Sequence, residues 1–265
     1  MNHLLRSLAP ISDAGWDLLD QEARERLTPA LAVRKLIDFN GPNGWQHSAT
    51  NLGRTAPLTV GDGIGVTALQ RRVLPLIELR ADFTLSRDEL RDASRGADDV
   101  DLTPLDSAAH QIAVAEGAAV FHGWADAFTG IIEASPHDPL STESPDTYPD
   151  RVAAGLELLL GVGVAGPYGL AAGNAQYRLL NGASERGGYP LREHVAKILD
   201  GPVVWVPGLE GAMIMSMRGG DFVFDSGQDL SIGYDSHDSE DVHLYLQESF
   251  SFHVATPEAA VPLNC

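Results

Sequence analysis

The sequence predicts an α+β fold, and three observations carry that prediction. Apolar residues recur with helical spacing near the N-terminus and in the middle of the chain. A hairpin pattern occupies the region from Trp45 to Phe83, and the run from Val242 to Val254 alternates apolar and polar residues as a strand does. The length of 265 residues fits one large domain or two small ones.

The first predicted helix begins after Ser12, a residue type favoured at the N-cap. One face of this helix is apolar and consists of Trp16, Leu19, Ala23, Leu27 and Leu31. Pro29 lies inside the pattern and is expected to kink or end the helix near Thr28. Lys35 to Phe39 is then expected to form a short strand.

The region from Trp45 to Phe83 is predicted to be a long β-hairpin. Gly61-Asp62-Gly63 carries the Asp-Gly turn signal, and the alternation of apolar and charged residues extends the second arm to Phe83. The first arm, Ser48 to Thr59, has few large apolar residues, and a lone two-stranded ribbon is marginal in water. We therefore expect the hairpin to lie on another surface, for which a second subunit is a candidate.

The middle of the chain predicts a long helix that opens with Thr103 as N-cap and Pro104 at the first helical position. Its narrow stripe of small and apolar residues consists of Leu105, Ala108, Ile112, Ala115, Ala119 and Val120. A loop follows at 135–149; helices are predicted at 150–160, 174–181 and 190–199, and strands at 168–172, 203–206, 213–217 and 221–224. Glu248 falls on the apolar face of the last strand, and a buried carboxylate there needs a partner, for which Arg80 and Arg218 are candidates.

Composition excludes several classes of function. The net charge of -19 argues against nucleic acid, which needs clustered basic residues, and against an anionic membrane surface. The start lacks a signal-peptide pattern, and no apolar run reaches the length of a membrane span. The only cysteine is Cys265, so no intrachain disulfide is possible. We expect a soluble cytoplasmic protein.

A search for catalytic and metal-binding motifs predicts no enzyme. Gly161 to Gly166 matches G-x-G-x-x-G, but a helical run precedes it and Pro167 follows, so a connector is expected and not a nucleotide site. The nine histidines include no His-x-x-x-His pair, and G-x-S-x-G is absent. The acid-rich stretch from Asp88 to Asp106 is interpreted as a solvated surface. No metal site is predicted.

Several blocks of the sequence resemble the encapsulin shell proteins, once described as linocin-type bacteriocins. They occur in the family's order from one end of the chain to the other, and the chain length is typical. The blocks are LAPISDAGW (8–16), GPNGW (41–45), LPLIELRADFTLSRDEL (74–90), GGYPLREHV (187–195), RGGDF (218–222), GQDLSIGYDSHD (227–238) and LYLQESFSF (244–252).

The resemblance implies the HK97 phage-capsid-like fold, with a peripheral domain, an extended loop and an axial domain. The matching ranges are 1–44, 84–128 and 216–265 for the peripheral domain, 45–83 for the extended loop and 129–215 for the axial domain. It also implies closed icosahedral shells, which take about sixty identical copies in the smallest form. The hairpin would then cross onto a neighbouring subunit.

The resemblance further implies that the shell encloses a cargo enzyme whose C-terminal targeting peptide docks between the N-terminal helix and the peripheral domain. Aliphatic residues would hold the peptide's side chains, and Arg34 and Asp38 would set its register by charge-assisted bonds. Each residue alone fits a core role equally well. The matching positions are Leu27, Leu31, Arg34, Asp38, Leu230, Ile232 and Tyr234.

A pore loop and the absence of a cofactor complete the implied picture. The segment similar to the family's five-fold pore loop is Gly182, Ala183, Ser184, Glu185, Arg186, Gly187 and Gly188. Small residues leave an opening there and the charged pair gates it, although an ordinary surface loop is the alternative. Some members bind flavin near an aromatic residue in the segment matching Ser86–Leu90; SRDEL has none, so no flavin is predicted.

The expected function is therefore a shell around a dye-decolorising-type peroxidase or a ferritin-like iron oxidase, serving oxidative stress or iron storage. One alternative is a phage capsid on the same fold, which would need a basic inner lining to hold DNA. The other is a lytic hydrolase, but no nucleophile–base pair stands out.

Overall fold

The computed structural model describes residues 3–59, 66–142, 144–184 and 188–264. In the first half of the chain the elements are Asp13–Ala30 (α1), Asp38–Asn40 (β1), Ala49–Leu58 (β2), Ala68–Pro75 (β3), Ile77–Ser86 (β4), Arg87–Arg95 (α2), Thr103–His122 (α3), Ile131–Ala134 (α4) and Leu140–Ser141 (β5). In the second half they are Tyr148–Gly161 (α5), Tyr168–Ala172 (β6), Asn174–Gly182 (α6), Leu191–Leu199 (α7), Val203–Trp205 (β7), Ala212–Ser216 (β8), Phe222–Ser226 (β9), Ser231–His237 (β10), Asp241–Val254 (β11) and Ala260–Asn264 (β12).

The first sheet has the strand order β1-β9-β11-β10, with β4 on the opposite edge of β11. Along β4 the buried side chains are Ala81, Phe83 and Leu85, alternating with exposed neighbours as a half-buried strand requires. They share one hydrophobic cluster with residues of α1 and α3. The two helices therefore cover one face of this sheet.

The second sheet has the order β5-β12-β8-β6-β7 and packs with α5, α6 and α7. Strand β12, Ala260–Asn264, pairs with β8 here. Strand β12 therefore joins the second sheet, although it lies in the range 216–265 assigned to the peripheral domain, because β11 ends at Val254 and the short 3₁₀ helix Pro257–Ala259 redirects the chain. The larger hydrophobic cluster includes residues of both sheets, so one core joins them.

The hairpin is shorter than predicted. Strands β2 and β3 pair from Ala49 opposite Pro75 to Leu58 opposite Ala68. The second arm ends there, and β4 belongs to the first sheet because its apolar side chains need a core that the ribbon lacks. The predicted turn Gly61-Asp62-Gly63 lies outside the described residues. Large apolar side chains are exposed along the hairpin at Leu52, Leu58, Val66, Leu69 and Val73.

The N-cap predicted for α1 is confirmed, whereas the predicted end of α1 and the predicted N-cap of α3 are corrected. The Ser12 hydroxyl accepts a hydrogen bond from the Gly15 N–H at 3.2 Å, as predicted for the N-cap of α1. That helix runs past Pro29 to Ala30, because a proline so close to the end costs few backbone hydrogen bonds. Thr103 is the first residue of α3 and not its N-cap. Its N–H donates a hydrogen bond to the Asp101 carboxylate at 3.0 Å.

Two further features bear on the predictions. A short 3₁₀ helix at Ala32–Lys35 delays the strand expected at Lys35–Phe39. The G-x-G-x-x-G segment lies between the end of α5 and the start of β6, so the predicted connector is confirmed. In the part of the chain that the structure describes, no helix combines the length and apolar character of a membrane span.

Candidate functional site

A groove of about 360 Å³ separates the C-terminal half of α1 from the start of β10. The N-terminal segment and the 3₁₀ turn after α1 also contribute to its lining. Its lining consists of Leu4, Arg6, Asp20, Ala23, Arg24, Leu27, Thr28, Leu31, Arg34, Asp229, Leu230, Ser231, Ile232 and Leu246.

Five of the seven residues predicted to bind a peptide line this groove: Leu27, Leu31, Arg34, Leu230 and Ile232. Leu27 and Leu31 are four residues apart and face the same side of the helix. Leu230 and Ile232 are two residues apart and face the same side of the strand. Both apolar pairs line the groove, and Leu31 and Leu230 are half-buried there.

The other two predicted residues lie elsewhere. The Asp38 carboxylate accepts a hydrogen bond from the Gly220 N–H at 2.6 Å and lines a separate cavity of about 110 Å³. The Tyr234 hydroxyl lies 2.5 Å from Nδ1 of His237, and its backbone N–H donates to the Leu4 carbonyl at 2.9 Å. The structure thus brings neither side chain into the groove.

Arg34 lines the groove and is held by three carboxylates. Its Nη1 lies 2.8 Å from Asp229, and its Nη2 lies 2.5 Å from Glu116 and 2.7 Å from Glu248. The Arg34 side chain is 14% exposed, whereas those of Glu116 and Glu248 are 0% and 1% exposed. The guanidinium is therefore already bonded within the fold, and few of its N–H groups remain to bind a peptide.

The partner of Glu248 was predicted wrongly. Arg80 binds Asp82 and Asp235, and Arg218 binds Asp221. In the pairing of β11 with β4, Glu248 lies opposite Leu79, while Arg80 lies opposite Gln247. Successive side chains point to opposite faces of a sheet, so Arg80 is on the wrong face to reach Glu248.

The cluster has more negative than positive charge, and this shifts the protonation of its acids. Burial, and then the charge of Glu116, raises the pKa of Glu248 well above its usual range. Burial also raises the pKa of Glu116, against the opposing charge of Arg34. For Arg34, burial alone would lower the pKa, but Glu116 and Glu248 outweigh it and raise it. Because Glu116 holds the guanidinium through two nitrogens, we assign the retained proton to Glu248.

Sequence reasoning missed Glu116 and Asp229. A signal for Glu116 exists: it lies four residues after Ile112 on the buried stripe of α3, so a charged residue there must find a partner. Asp229 carries no comparable signal, because it lies in the bend between β9 and β10.

Part of the predicted pore loop is described. Gly182 ends α6, and the Ala183 carbonyl accepts a hydrogen bond from the Leu191 N–H at 3.2 Å. Ser184 bridges to Pro190, and Gly188 has a positive φ of 78°, a conformation suited to glycine. These contacts form the base of a loop; Glu185, Arg186 and Gly187 lie outside the described residues. Across the described ranges, no group of three or more His, Cys, Asp and Glu side chains is arranged to hold a metal ion.

Comparison with known proteins finds matches along the full chain. A family model described as "Encapsulating protein for peroxidase" matches residues 1–251. Three similar proteins are each named "Type 1 encapsulin shell protein". That of Rhodospirillum rubrum is 48% identical, over 100% of this chain and 97% of its own length. Those of Brevibacterium linens and Mycobacterium tuberculosis are 41% and 38% identical, each over 100% of both chains.

Solved structures show the same architecture. A virus-like particle from Pyrococcus furiosus aligns with a TM-score of 0.61 at 18% identity, covering 92% of this chain and 98% of that one. The capsid of an empty GTA particle aligns with a TM-score of 0.56 at 15% identity, covering 88% and 89%. At these identities the likeness concerns the fold, and the predicted HK97 phage-capsid-like α+β fold is confirmed.

Proposed function

Because this chain belongs to the encapsulin family of shell proteins, we propose that its closed shell of about sixty copies encloses a cargo enzyme that carries a C-terminal targeting peptide. The prediction that the chain is a shell protein and not an enzyme is confirmed by the names of its relatives. The proposed compartment lies in the cytoplasm. Its cargo is a dye-decolorising-type peroxidase or a ferritin-like protein, the former in keeping with the description of the family model.

The observation that carries this proposal is the groove between α1 and β10. It is open to solvent and is lined by aliphatic side chains from both α1 and the start of β10, together with charged residues. A short apolar peptide segment fits such a surface, because aliphatic side chains gain free energy on leaving water while the rim charges fix orientation. In this proposal the small solutes that the cargo consumes enter through pores, one of them lined by residues 182–188.

Substitution of Leu230 tests the groove. Leu230→Glu places a charge on a half-buried wall of the groove, so the captured amount of a tagged reporter is expected to fall at least tenfold, or about 1.4 kcal/mol in binding. The reporter is a fluorescent protein fused to the last ten residues of the protein that co-purifies with shells from the host. Captured reporter per shell is measured by fluorescence after size-exclusion chromatography.

Two controls accompany that measurement. Leu8→Glu makes the same change at a leucine that is 63% exposed and outside the groove, and is expected to leave capture unchanged. A reporter without the ten-residue segment measures non-specific trapping. Intact Leu230→Glu shells that capture as much tagged reporter as the wild type would refute the groove as the cargo site.

The hairpin makes assembly sensitive to salt. It carries Arg54, Arg71 and Arg72 against one acidic residue, Asp62, whereas the whole chain carries -19. None of these arginines forms an ion pair within the described residues, and all three are exposed. We therefore expect them to bind the acidic body of a neighbouring subunit, while the acidic bodies repel one another over a Debye length that shortens as salt is added.

We expect wild-type shells to be less stable in about 10 mM than in about 150 mM NaCl, because screening is weak at low salt. Arg54→Ser/Arg72→Ser should require more salt for assembly, since it removes attraction and leaves the repulsion. Arg91→Ser/Arg95→Ser removes the same charge from α2, where each arginine already pairs with an aspartate, and should shift the requirement less. Light scattering against NaCl concentration measures the midpoint; equal stability at all salt concentrations would contradict the prediction.

A further inference from the structure

Strand β10 has one paired edge and one edge that borders the groove. Its inner edge pairs with β11, with Ile232 opposite Leu246 and Tyr234 opposite Leu244. On the outer edge, the Tyr234 N–H donates to the carbonyl of Leu4 at 2.9 Å. The N-terminal segment therefore covers the outer edge at Tyr234, and its residues Leu4 and Arg6 also line the groove.

The backbone of Ile232 points toward the same outer edge. In an antiparallel pair, residues alternate between those that bond the partner strand and those whose N–H and C=O point away from it. Tyr234 is of the second kind, because its N–H reaches Leu4 and not β11. Ile232 precedes it by two residues, with no register shift between them, and is of the same kind. Within the described ranges, no residue beyond the β10–β11 pairing bonds the Ile232 backbone.

We propose that the targeting peptide binds as an added β-strand on the outer edge of β10, exchanging backbone hydrogen bonds with the N–H and C=O of Ile232. The proposal rests on the proposed function and specifies the conformation of its ligand. Ile232 is nearly buried, so neighbouring groups cover its outward N–H and C=O, and the peptide must displace them to pair there. Strand addition then satisfies both backbone groups at once.

Strand addition sets the side-chain pattern of the peptide. Alternate side chains of an added strand point to opposite faces of the sheet. One face of that strand would meet Ala23, Leu27 and Leu31 of the α1 wall, and the other would point away from it. The recognised segment is therefore extended, with aliphatic residues two positions apart and a polar or small residue between them.

A proline scan of the reporter tests this conformation. Each of the ten residues of the segment is replaced in turn by proline and, as the matched control, by alanine. Both changes replace the native side chain, but only proline removes the backbone N–H. At the position whose N–H bonds the Ile232 carbonyl, proline is expected to capture at least tenfold less reporter than alanine. At the two flanking positions, whose N–H groups point away from β10, the ratio should stay near one.

The outcomes separate this inference from the function on which it rests. Strand addition is overturned if the ratio of reporter captured by the proline variants to that captured by the alanine variants is uniform along the segment. If Leu230→Glu still abolishes capture in that case, the groove remains the cargo site. Capture that depends on neither the segment nor Leu230 overturns both. Hydrogen exchange adds a second readout: the Ile232 amide should exchange at least tenfold more slowly in loaded than in empty shells. Equal rates, or an amide already protected in empty shells, count against an added strand.

Discussion

Replacing Arg34 by methionine is expected to lower the free energy of unfolding by about 3–5 kcal/mol, the cost of leaving buried carboxylates without their counter-ion. Arg34 is bonded by Glu116, Asp229 and Glu248, which lie on three different parts of the chain. Methionine keeps much of the side chain's volume but none of its charge. The buried Glu116 then loses the charge that stabilises its ionised form, and the junction of α3 with β11 loses its central contact.

The thermal unfolding midpoint measures this loss. For a chain of this size, the change corresponds to a fall of roughly 6–20 °C. Arg34→Lys keeps the charge without the planar fork and should fall in between. The triple variant Arg34→Met/Glu116→Gln/Glu248→Gln removes the buried charges together and should recover most of the loss, because a neutral replacement of a buried ion cluster is often tolerated. A single Arg34→Met variant that unfolds at the wild-type temperature would show that the cluster contributes little.

Two long strands of the first sheet, β4 and β11, were predicted as strands because their sequences obey a simple period, although β4 was assigned to the hairpin and β10 was not predicted. Burial alternates along β4 as its sequence does, and β11 lies where the C-terminal alternation indicated. The partner of Glu248 was beyond such reasoning. Arg34 is 214 residues away in sequence, and it lies in a 3₁₀ turn next to a region predicted to be a strand. Local periodicity carries no information about contacts of that separation.

The groove was predicted in part for a similar reason. Leu27 with Leu31, and Leu230 with Ile232, follow from helix and strand spacing together with the family resemblance. Tyr234 continues the strand spacing but is covered by the N-terminal segment. This long-range contact cannot be predicted from a local sequence pattern. The position of Asp38 follows from the parallel pairing of β1 with β9, which turns its carboxylate toward Gly220.

Replacing Glu248 by glutamine is expected to stabilise the protein at neutral and higher pH. The pKa of Glu248 is raised in the folded state, first by burial and then by Glu116, so the folded chain binds a proton more tightly than the unfolded chain. Its contribution to stability is therefore full below the ordinary glutamate pKa and is lost as the pH rises through the raised pKa. Each unit of that rise costs about 1.4 kcal/mol. Glutamine keeps an oxygen for Arg34 and presents a permanent N–H toward Glu116, so it mimics the protonated acid at every pH.

The difference in unfolding midpoint between Glu248→Gln and the wild type should thus be near zero at about pH 4.5 and grow as the pH rises. Hydrogen bonds lower the pKa of Asp235 and Asp238 at the surface, so these two acids stabilise the fold as the pH rises. Both are present in the wild type and in Glu248→Gln, so their contributions cancel when the two unfolding midpoints are subtracted. Glu78→Gln, an exposed substitution on the adjacent strand β4, should show no such growth. If Glu248→Gln were instead less stable than the wild type above pH 7, Glu248 would be ionised and would act as a second counter-ion for Arg34. The cluster would then carry its proton on Glu116. Replacing Glu116 by glutamine, and not Glu248, would then stabilise the protein at neutral and higher pH.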